Sequence, residues 1–470
     1  MTEALLIDTL FAKSLLEKHS PHSKETQPFI EYLLLQARKG HLFCDIAQTP
    51  FAPIAPSLAP LCTQDQSPLV CHGTHYYLRR NLEIETQIIT HLQRLSQAER
   101  PPLGVPLCPN LTPEQQCVAQ LIDTHPLTIV TGGPGCGKTY TAKQCLYHLL
   151  QRHPHFQIIA TAPTGKAVQC LQSQLPGIKT GTLHALLQLK EGQSIAQEAR
   201  PLCADLILID ECSMIDAPLM AQLLSAIPTG TTVVFMGDPY QIPPVDIGAI
   251  FQDLTTIEEL PHVHLTTSHR VKNSALAQLA QSIKQRNFTK ILSLLQDPNY
   301  PTVTLQPLDQ FHTADPPQQF LTPFHKGPYG TLAINALLRE THPKGAPLPI
   351  MITKNDASLE LANGSMGILE GEEAHFPLPD GERRTLSQAL LPPYTYAWCL
   401  SIHKSQGSEF ANVGVLLPPQ SETFGNELLY TAVTRAKEHL TLFTTEDTLQ
   451  RCVETKECRR SNLCNRYRHV

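Results

Sequence analysis

Leu127-Thr128-Ile129-Val130-Thr131-Gly132 runs straight into Gly133-Pro134-Gly135-Cys136-Gly137-Lys138-Thr139, and this join decides the fold. A charge-free apolar run of this length suits a strand buried on both faces. The segment that follows fits G-x-x-x-x-G-K-[ST], and a helix is expected over 139–152. Glycines at such a turn let backbone N–H groups wrap a phosphate, with the positive end of the helix behind them. Gly132, Gly133, Pro134, Gly135, Cys136 and Gly137 are therefore the expected nucleotide cradle. Lys138 is expected to reach the β- and γ-phosphates of the nucleotide, and Thr139 to hold Mg²⁺.

Working outward, three more apolar runs follow the first: QIIATA (157–162), DLILID (205–210) and TVVFMGD (232–238). Strands alternating with helices point to an α/β fold built on open, parallel sheets. Such sheets carry their chemistry at the C-terminal ends of the strands. Asp210 and Glu211 stand at one such end. Two adjacent acids there can divide the work, Asp210 ordering the Mg²⁺ shell and Glu211 polarising the attacking water. Gln241 follows Gly237-Asp238 at the end of the next strand, where an amide can sense the γ-phosphate. The charge that develops on the leaving phosphate needs a cation. Arg270 in TTSHRV and Arg435 in LLYTAVTRAK are the candidates, both reaching across from a second domain.

The chain has 470 residues, which suggests about three domains. With 41% hydrophobic and 17% charged residues, global disorder is excluded. The net charge of −6 gives no global pull toward nucleic acid or an anionic membrane, while leaving room for a local basic groove. None of the 14 cysteines forms a C-x2-C pair, so free thiols are expected rather than a metal framework. Cys452, Cys458 and Cys464 are spaced more widely than metal-ligand pairs usually are. No uncharged apolar run reaches the roughly 18–20 residues that span a bilayer. The start, MTEALLIDTLF, carries Glu3 and Asp8 where a signal peptide needs basic then apolar residues. A soluble cytoplasmic protein without a membrane partner is expected.

The organisation reads as three parts. Residues 1–105 are mainly helical, with helices over 26–40 and 76–97, an irregular proline-rich connection over 49–68 and a break at RPPLGVPLCP (100–109). Residues 106–264 form the first α/β domain. Residues 265–470 form the second, interrupted by a proline-rich stretch with short strands at about 343–393.

GGPGCGKTYT, APTGKAVQCL (162–171), LILIDECSMID, FMGDPYQIPPV (235–245), LTTSHR (265–270), SIHKSQGSEF (401–410) and LLYTAVTRAK (428–437) occur in that order. The set resembles the ordered motifs of the superfamily 1 DNA helicases. DECSM and HKSQGSEF are similar to the branch that moves 5′→3′ on single-stranded DNA, and within it to the RecD family, the alpha subunits of exodeoxyribonuclease V. The strong part of the likeness covers about 111–442. A weaker part, LLLQARKGHLFCDIA (34–48) and PLVCHGTHYYLRRNLEIE (68–85), is similar to that family's N-terminal domain.

The resemblance implies two RecA-like P-loop domains with ATP between them, a small β-barrel-like insertion in the second and an N-terminal docking domain. It assigns Gln115 of LTPEQQ to the adenine and Glu409 to the ribose. Thr164, Lys166, His184, His403, Lys404 and Ser405 fall on its DNA-contacting segments. It also implies a heterotrimer with beta and gamma subunits of the RecBCD type, acting in repair and recombination. A stand-alone 5′→3′ helicase and a hydrolysis-poor structural DNA-binding subunit stay open as alternatives. PDGERRTLSQALLPP, within the insertion, has no counterpart in the family pattern.

Overall fold

The structure is a computed structural model that describes residues 5–19, 24–62, 67–106, 109–189, 200–267, 274–313, 319–356, 358–378 and 382–469. In the N-terminal part, helices Leu6–His19 and Gln27–Arg38 pack beside a three-stranded antiparallel sheet. Its strands are β1 (Phe43–Asp45), β2 (Leu69–His72) and β3 (His75–Leu78), in the order β1-β3-β2. Phe29 seats edge-on against Phe51 and Tyr76 and closes this small core.

Two local expectations are corrected here. The proline-rich stretch 49–68 is not irregular throughout, because it contains helix Ala55–Cys62. Leu58 and Leu61 are fully buried, and their burial holds the helix despite Pro60 near its end. The helix expected over 76–97 starts only at Arg79. Its first residues are strand instead, since Tyr76, Tyr77 and Leu78 pair with Cys71, Val70 and Leu69 around a turn at Gly73 (φ +60°).

Helix Arg79–Ser96 sends Ile84, Ile88, Ile89 and Leu92 into the core under the next sheet, against Met220, Leu223 and Leu224. The break at about 100–109 thus separates elements that share one core. That next sheet is parallel throughout and contains β4 (Leu127–Gly132), β5 (Ile158–Ala162), β6 (Lys179–Thr182), β7 (Leu206–Ile209), β8 (Thr232–Gly237) and β9 (His262–Leu265). Its order is β6-β5-β7-β8-β4-β9. Every residue of β4, β5, β7 and β8 is buried, as the charge-free runs require.

The second parallel sheet begins with β10 (Val303–Gln306) and β11 (Gln319–Thr322). The chain then leaves it to form an insertion built on a five-stranded antiparallel sheet. This contains β12 (Leu348–Ile352), β13 (Met366–Glu370), β14 (Glu373–Pro377), β15 (Arg383–Ser387) and β16 (Tyr394–Tyr396), in the order β15-β14-β13-β12-β16. The segment without a family counterpart supplies β15, an edge strand whose Arg384 pairs with Glu360. Ile350, Ile352, Leu369 and Phe376 form the insertion's own core. The chain returns through β17 (Cys399–Ser401), β18 (Phe410–Leu416) and β19 (Ala436–Phe443), giving the order β10-β19-β18-β11-β17.

After helix Glu446–Glu454 the chain crosses back over the first parallel sheet to the N-terminal part and ends in helix Leu463–His469. The Leu42 N–H donates to the Arg460 carbonyl at 2.8 Å, and the Arg460 N–H donates to His41 Nδ1 at 3.1 Å. Burial and the neighbouring Arg460 push His41 down to about 4, which keeps the ring neutral and able to accept. Glu85, fully buried, accepts from the Asn462 N–H at 2.7 Å and pairs with Arg466 at 2.8 Å. Ser461 donates to Asp253 at 2.6 Å, and the Tyr467 and Ser96 hydroxyls meet at 2.9 Å. No helix among the described residues is long and apolar enough to cross a membrane.

Candidate nucleotide and DNA-binding site

The Gly-rich segment leaves the end of β4 and turns through Gly135 (φ +76°) and Gly137 (φ +80°) into helix Lys138–Arg152. These backbone angles belong to the left-handed region, where glycine carries no steric cost. No side chain caps the helix, so its first N–H groups remain available to an anion. Lys138 Nζ donates to the Gly132 and Gly133 carbonyls at 2.7 and 3.2 Å, which holds the ammonium inside the loop.

At the end of β7, beyond β8 from the loop's own strand, Thr139 Oγ1 donates to Asp210 Oδ2 at 3.3 Å, and Asp210 Oδ1 accepts from the Glu211 N–H at 2.8 Å. Glu211 itself sits at φ +52°, a conformation that costs a non-glycine residue energy and turns its side chain away from the strand path. Burial pushes both carboxyls above the ordinary range. Lys138 opposes the rise at Asp210, and Arg435 and Lys138 oppose it at Glu211. Gln241, in the turn after β8, is buried, and its Oε1 has no hydrogen-bond partner among the described residues. An orphaned buried acceptor, an uncapped helix start and two desolvated acids facing a lysine fit a nucleoside triphosphate.

The second sheet contributes Arg435, only 3% exposed. Its guanidinium donates to the Thr431 and Ser408 carbonyls at 3.0 and 3.2 Å and to Thr434 Oγ1 at 3.2 Å. Arg270, the other expected cation, lies outside the described residues. Three features escaped the sequence reading. Tyr430 donates to Asp238 Oδ2 at 2.8 Å across the seam, and the Ile242 N–H donates to Thr431 Oγ1 at 2.9 Å. A Cβ placed on Gly133 would lie 3.1 Å from the Tyr430 hydroxyl, so the tyrosine rests on the phosphate loop. Lys284 Nζ sits 4.5 Å from the ring centre of Tyr240 and 5.1 Å from that of Tyr430. Only YTAVTRAK hinted at any of this, since Tyr430 precedes Arg435 in it.

The remaining expected residues are placed unevenly. Gln115 uses its side-chain carbonyl to accept from the Thr112 N–H at 3.1 Å in a capping box, leaving its amide NH₂ for a base. Glu409 pairs with Lys437 at 3.5 Å. Thr164 caps helix Gly165–Gln174 by accepting from the Ala167 N–H. Lys166 Nζ donates to the Ser408 hydroxyl, and burial lowers this lysine to about 8. His184 and Lys404 are exposed, and His403 is half-buried. Ser405 is fully buried and spends its hydroxyl on the Ile402 carbonyl at 2.7 Å, which leaves it a turn-forming role.

This geometry, phosphate loop and acid pair on one parallel sheet and an arginine delivered from another, defines a two-domain P-loop ATPase of the superfamily 1 helicase class. Residues 110–300 match the AAA domain model, and residues 396–443 match the UvrD-like helicase C-terminal domain. The chain is 30% identical over 417 residues to the RecBCD enzyme subunit RecD of Mycolicibacterium smegmatis, covering 76% of this chain and 75% of that one. It therefore belongs to the RecD family and is an ATP-dependent DNA helicase. The ATP-dependent RecD2 DNA helicase of Deinococcus radiodurans is 30% identical over 354 residues, covering 70% of this chain and 48% of that protein. The crystal structure of the Pif1 helicase from Candida albicans superposes with a TM-score of 0.50 at 19% identity, covering 77% of this chain and 99% of that one. That likeness is one of fold: two RecA-like domains.

Proposed function

We propose that the chain is the 5′→3′ motor subunit of a RecBCD-type helicase–nuclease, translocating on single-stranded DNA in the cytoplasm. In this reading it acts with beta and gamma subunits in double-strand break repair and recombination, and residues 1–105 dock to a partner. The 106–264 and 265–470 portions are the two motor domains. The observation that carries the reading is Ser408. Its carbonyl accepts from Arg435 at the nucleotide cleft, while its hydroxyl accepts from Lys166 of the APTGKA segment. One residue thus ties the arginine that answers phosphate charge to the lysine expected to answer DNA.

ATP with Mg²⁺ supplies the phosphoryl bond whose hydrolysis drives the cycle. Thr139 and Asp210 offer the hydroxyl and carboxylate oxygens that a hard divalent cation takes. Lys138 exchanges the Gly132 and Gly133 carbonyls for phosphate oxygens. The Glu211 carboxylate, raised by burial toward neutrality, receives the proton of the attacking water. Gln241 Oε1 orients that water, and Arg435 brings fixed charge to the cleft from the second domain. Thr164, Lys166 and His184 from the first sheet's side and His403 and Lys404 from the second's grip the strand backbone without reading sequence.

ATP turnover with and without a single-stranded oligonucleotide tests the reading. Strong stimulation is expected, with unwinding of 5′-tailed and not 3′-tailed duplexes and a gain on adding beta and gamma subunits. Lys138→Gln should abolish turnover with the fold intact. Turnover indifferent to DNA would overturn the translocase assignment.

A further inference from the structure

A cavity of about 370 Å³ opens at the seam between the second motor sheet and the insertion. Its walls come from helix Thr331–Thr341, from β12, β16 and β17, and from Lys404. Small-ligand pockets run from roughly 300 to 1,000 Å³, so the space suits a nucleoside and not a duplex. The basic residues of the lining are His325, Arg339 and Lys404, and no carboxylate joins them. Neither Arg339 nor Lys404 forms an ion pair among the described residues.

An aromatic column leads into this space. Trp398 and Tyr396 stack with centroids 5.5 Å apart and planes 29° apart. The Arg339 guanidinium lies over the Tyr396 ring, 4.7 Å from its centre. Tyr396 and Arg339 both line the cavity while Trp398 does not, so the stacked pair facing the space is the ring and its guanidinium. A guanidinium plane is a surface on which bases stack, whatever their sequence. Thr395 and Ser401 add hydroxyls to the lining.

We propose that this cavity receives one base of the translocating strand, stacked on the Arg339 guanidinium, with the adjoining phosphate held by Lys404. The inference rests on the DNA-translocase reading and adds to it a single-base checkpoint between motor and insertion. A neutral ligand would not need two unpaired cations, and an acidic peptide would use the charge but not the stacking plane. A base and its phosphate use both.

The sole tryptophan of the chain, Trp398, reports on the column directly. Titration of the whole protein with oligodeoxythymidylate should change its fluorescence, and anisotropy of a labelled strand gives the affinity. An abasic residue stepped along the oligonucleotide should weaken binding at one register only. Arg339→Ala should weaken binding by about 5- to 150-fold, the range for one lost base stack, and should erase that abasic-site dependence. Arg339→Lys should behave like Arg339→Ala if stacking matters. If Arg339→Lys binds as wild type does, charge alone acts and the proposal falls. It falls equally if the abasic scan on wild type is flat while DNA still binds, an outcome that spares the translocase reading. Absence of any DNA binding would instead remove that reading itself. Should Arg339→Ala fail to fold, the lysine variant and the wild-type scan decide alone.

Discussion

Tyr430 of the second motor domain donates its hydroxyl to Asp238 of the first at 2.8 Å, and both side chains are out of solvent. The bond closes the seam directly over the phosphate loop. A hydrogen bond to a charged group contributes roughly 1.5–3 kcal/mol. Tyr430→Phe should therefore lower ATP turnover by at least about tenfold, measured at saturating DNA. Asp238→Asn, which keeps an acceptor, should do less harm.

Ser408 joins Lys166 to Arg435, and its hydroxyl is the part that Lys166 uses. Ser408→Ala removes that link and keeps the carbonyl for Arg435. The ratio of DNA-stimulated to DNA-free turnover should fall about fivefold to tenfold, in line with a net hydrogen-bond worth of roughly 1–1.5 kcal/mol. An unchanged ratio would show that the two sites communicate elsewhere.

Lys284 rests between the rings of Tyr240 and Tyr430, with its ammonium 3.7 Å from where a Cβ on Gly133 would lie. Lys284→Met keeps the stem and removes the charge next to the phosphate loop. The KM for ATP should rise about tenfold, the effect of some 1.4 kcal/mol of lost charge interaction. Turnover at saturating ATP should change less, which steady-state kinetics separates.

Burial holds Lys166 at about 8. Below that pH it is charged and can hold a phosphate; above it the ammonium is progressively lost. Affinity for single-stranded DNA should therefore decline as pH rises through about 8, and binding near that pH should take up a proton. Lys166→Arg stays charged and should flatten the profile. The folding linkage runs the other way. Between about 8 and the ordinary lysine value the unfolded chain binds more protons, so this group's burial cost fades as pH rises.

Arg466 is the ion-pair partner of the buried Glu85. Arg466→Ala should cost about 3 kcal/mol of stability in chemical denaturation, because it strands a buried charge. Asp253, raised to about 7 by burial, tests the same crossing by pH. The folded chain binds its proton between the ordinary carboxylate range and about 7, so this group favours folding as pH falls through that window. Asp253→Asn should raise the melting temperature at pH 8 and change little at pH 4, while still accepting from Ser461.

The phosphate loop, the acid pair and the four buried strands around them were legible because each is local: a charge-free run, a glycine spacing, two carboxyls at a strand end. The same holds for Arg435, whose helix and neighbours lie within one motif. Tyr430, Lys284 and Ser408 were not legible as site residues, because their meaning arises only when a second domain is laid against the first. Ser405 shows the converse: the resemblance places it on a DNA-contacting segment, while the tight turn it occupies, which no motif spells out, has its hydroxyl donate to the Ile402 carbonyl. Helix Arg79–Ser96 was extended too early because HYYL carries apolar residues that suit either period, and only the hairpin through Gly73 decides for strand. The crossing after Glu454 carries no periodic signal at all. Its polar residues are ordered by Glu85, Asp253 and His41, all distant in sequence.

That crossing also sets a limit on travel. Between the helices ending at Glu454 and beginning at Leu463, the chain is already anchored at Arg460, Ser461 and Asn462. Even fully drawn out, the eight residues from Thr455 to Asn462 reach at most roughly 26–29 Å. Any parting of the two parallel sheets beyond that reach would have to peel this ribbon from its moorings or carry the N-terminal part along. The tether thus runs from the second motor sheet to the N-terminal part through three consecutive anchored residues.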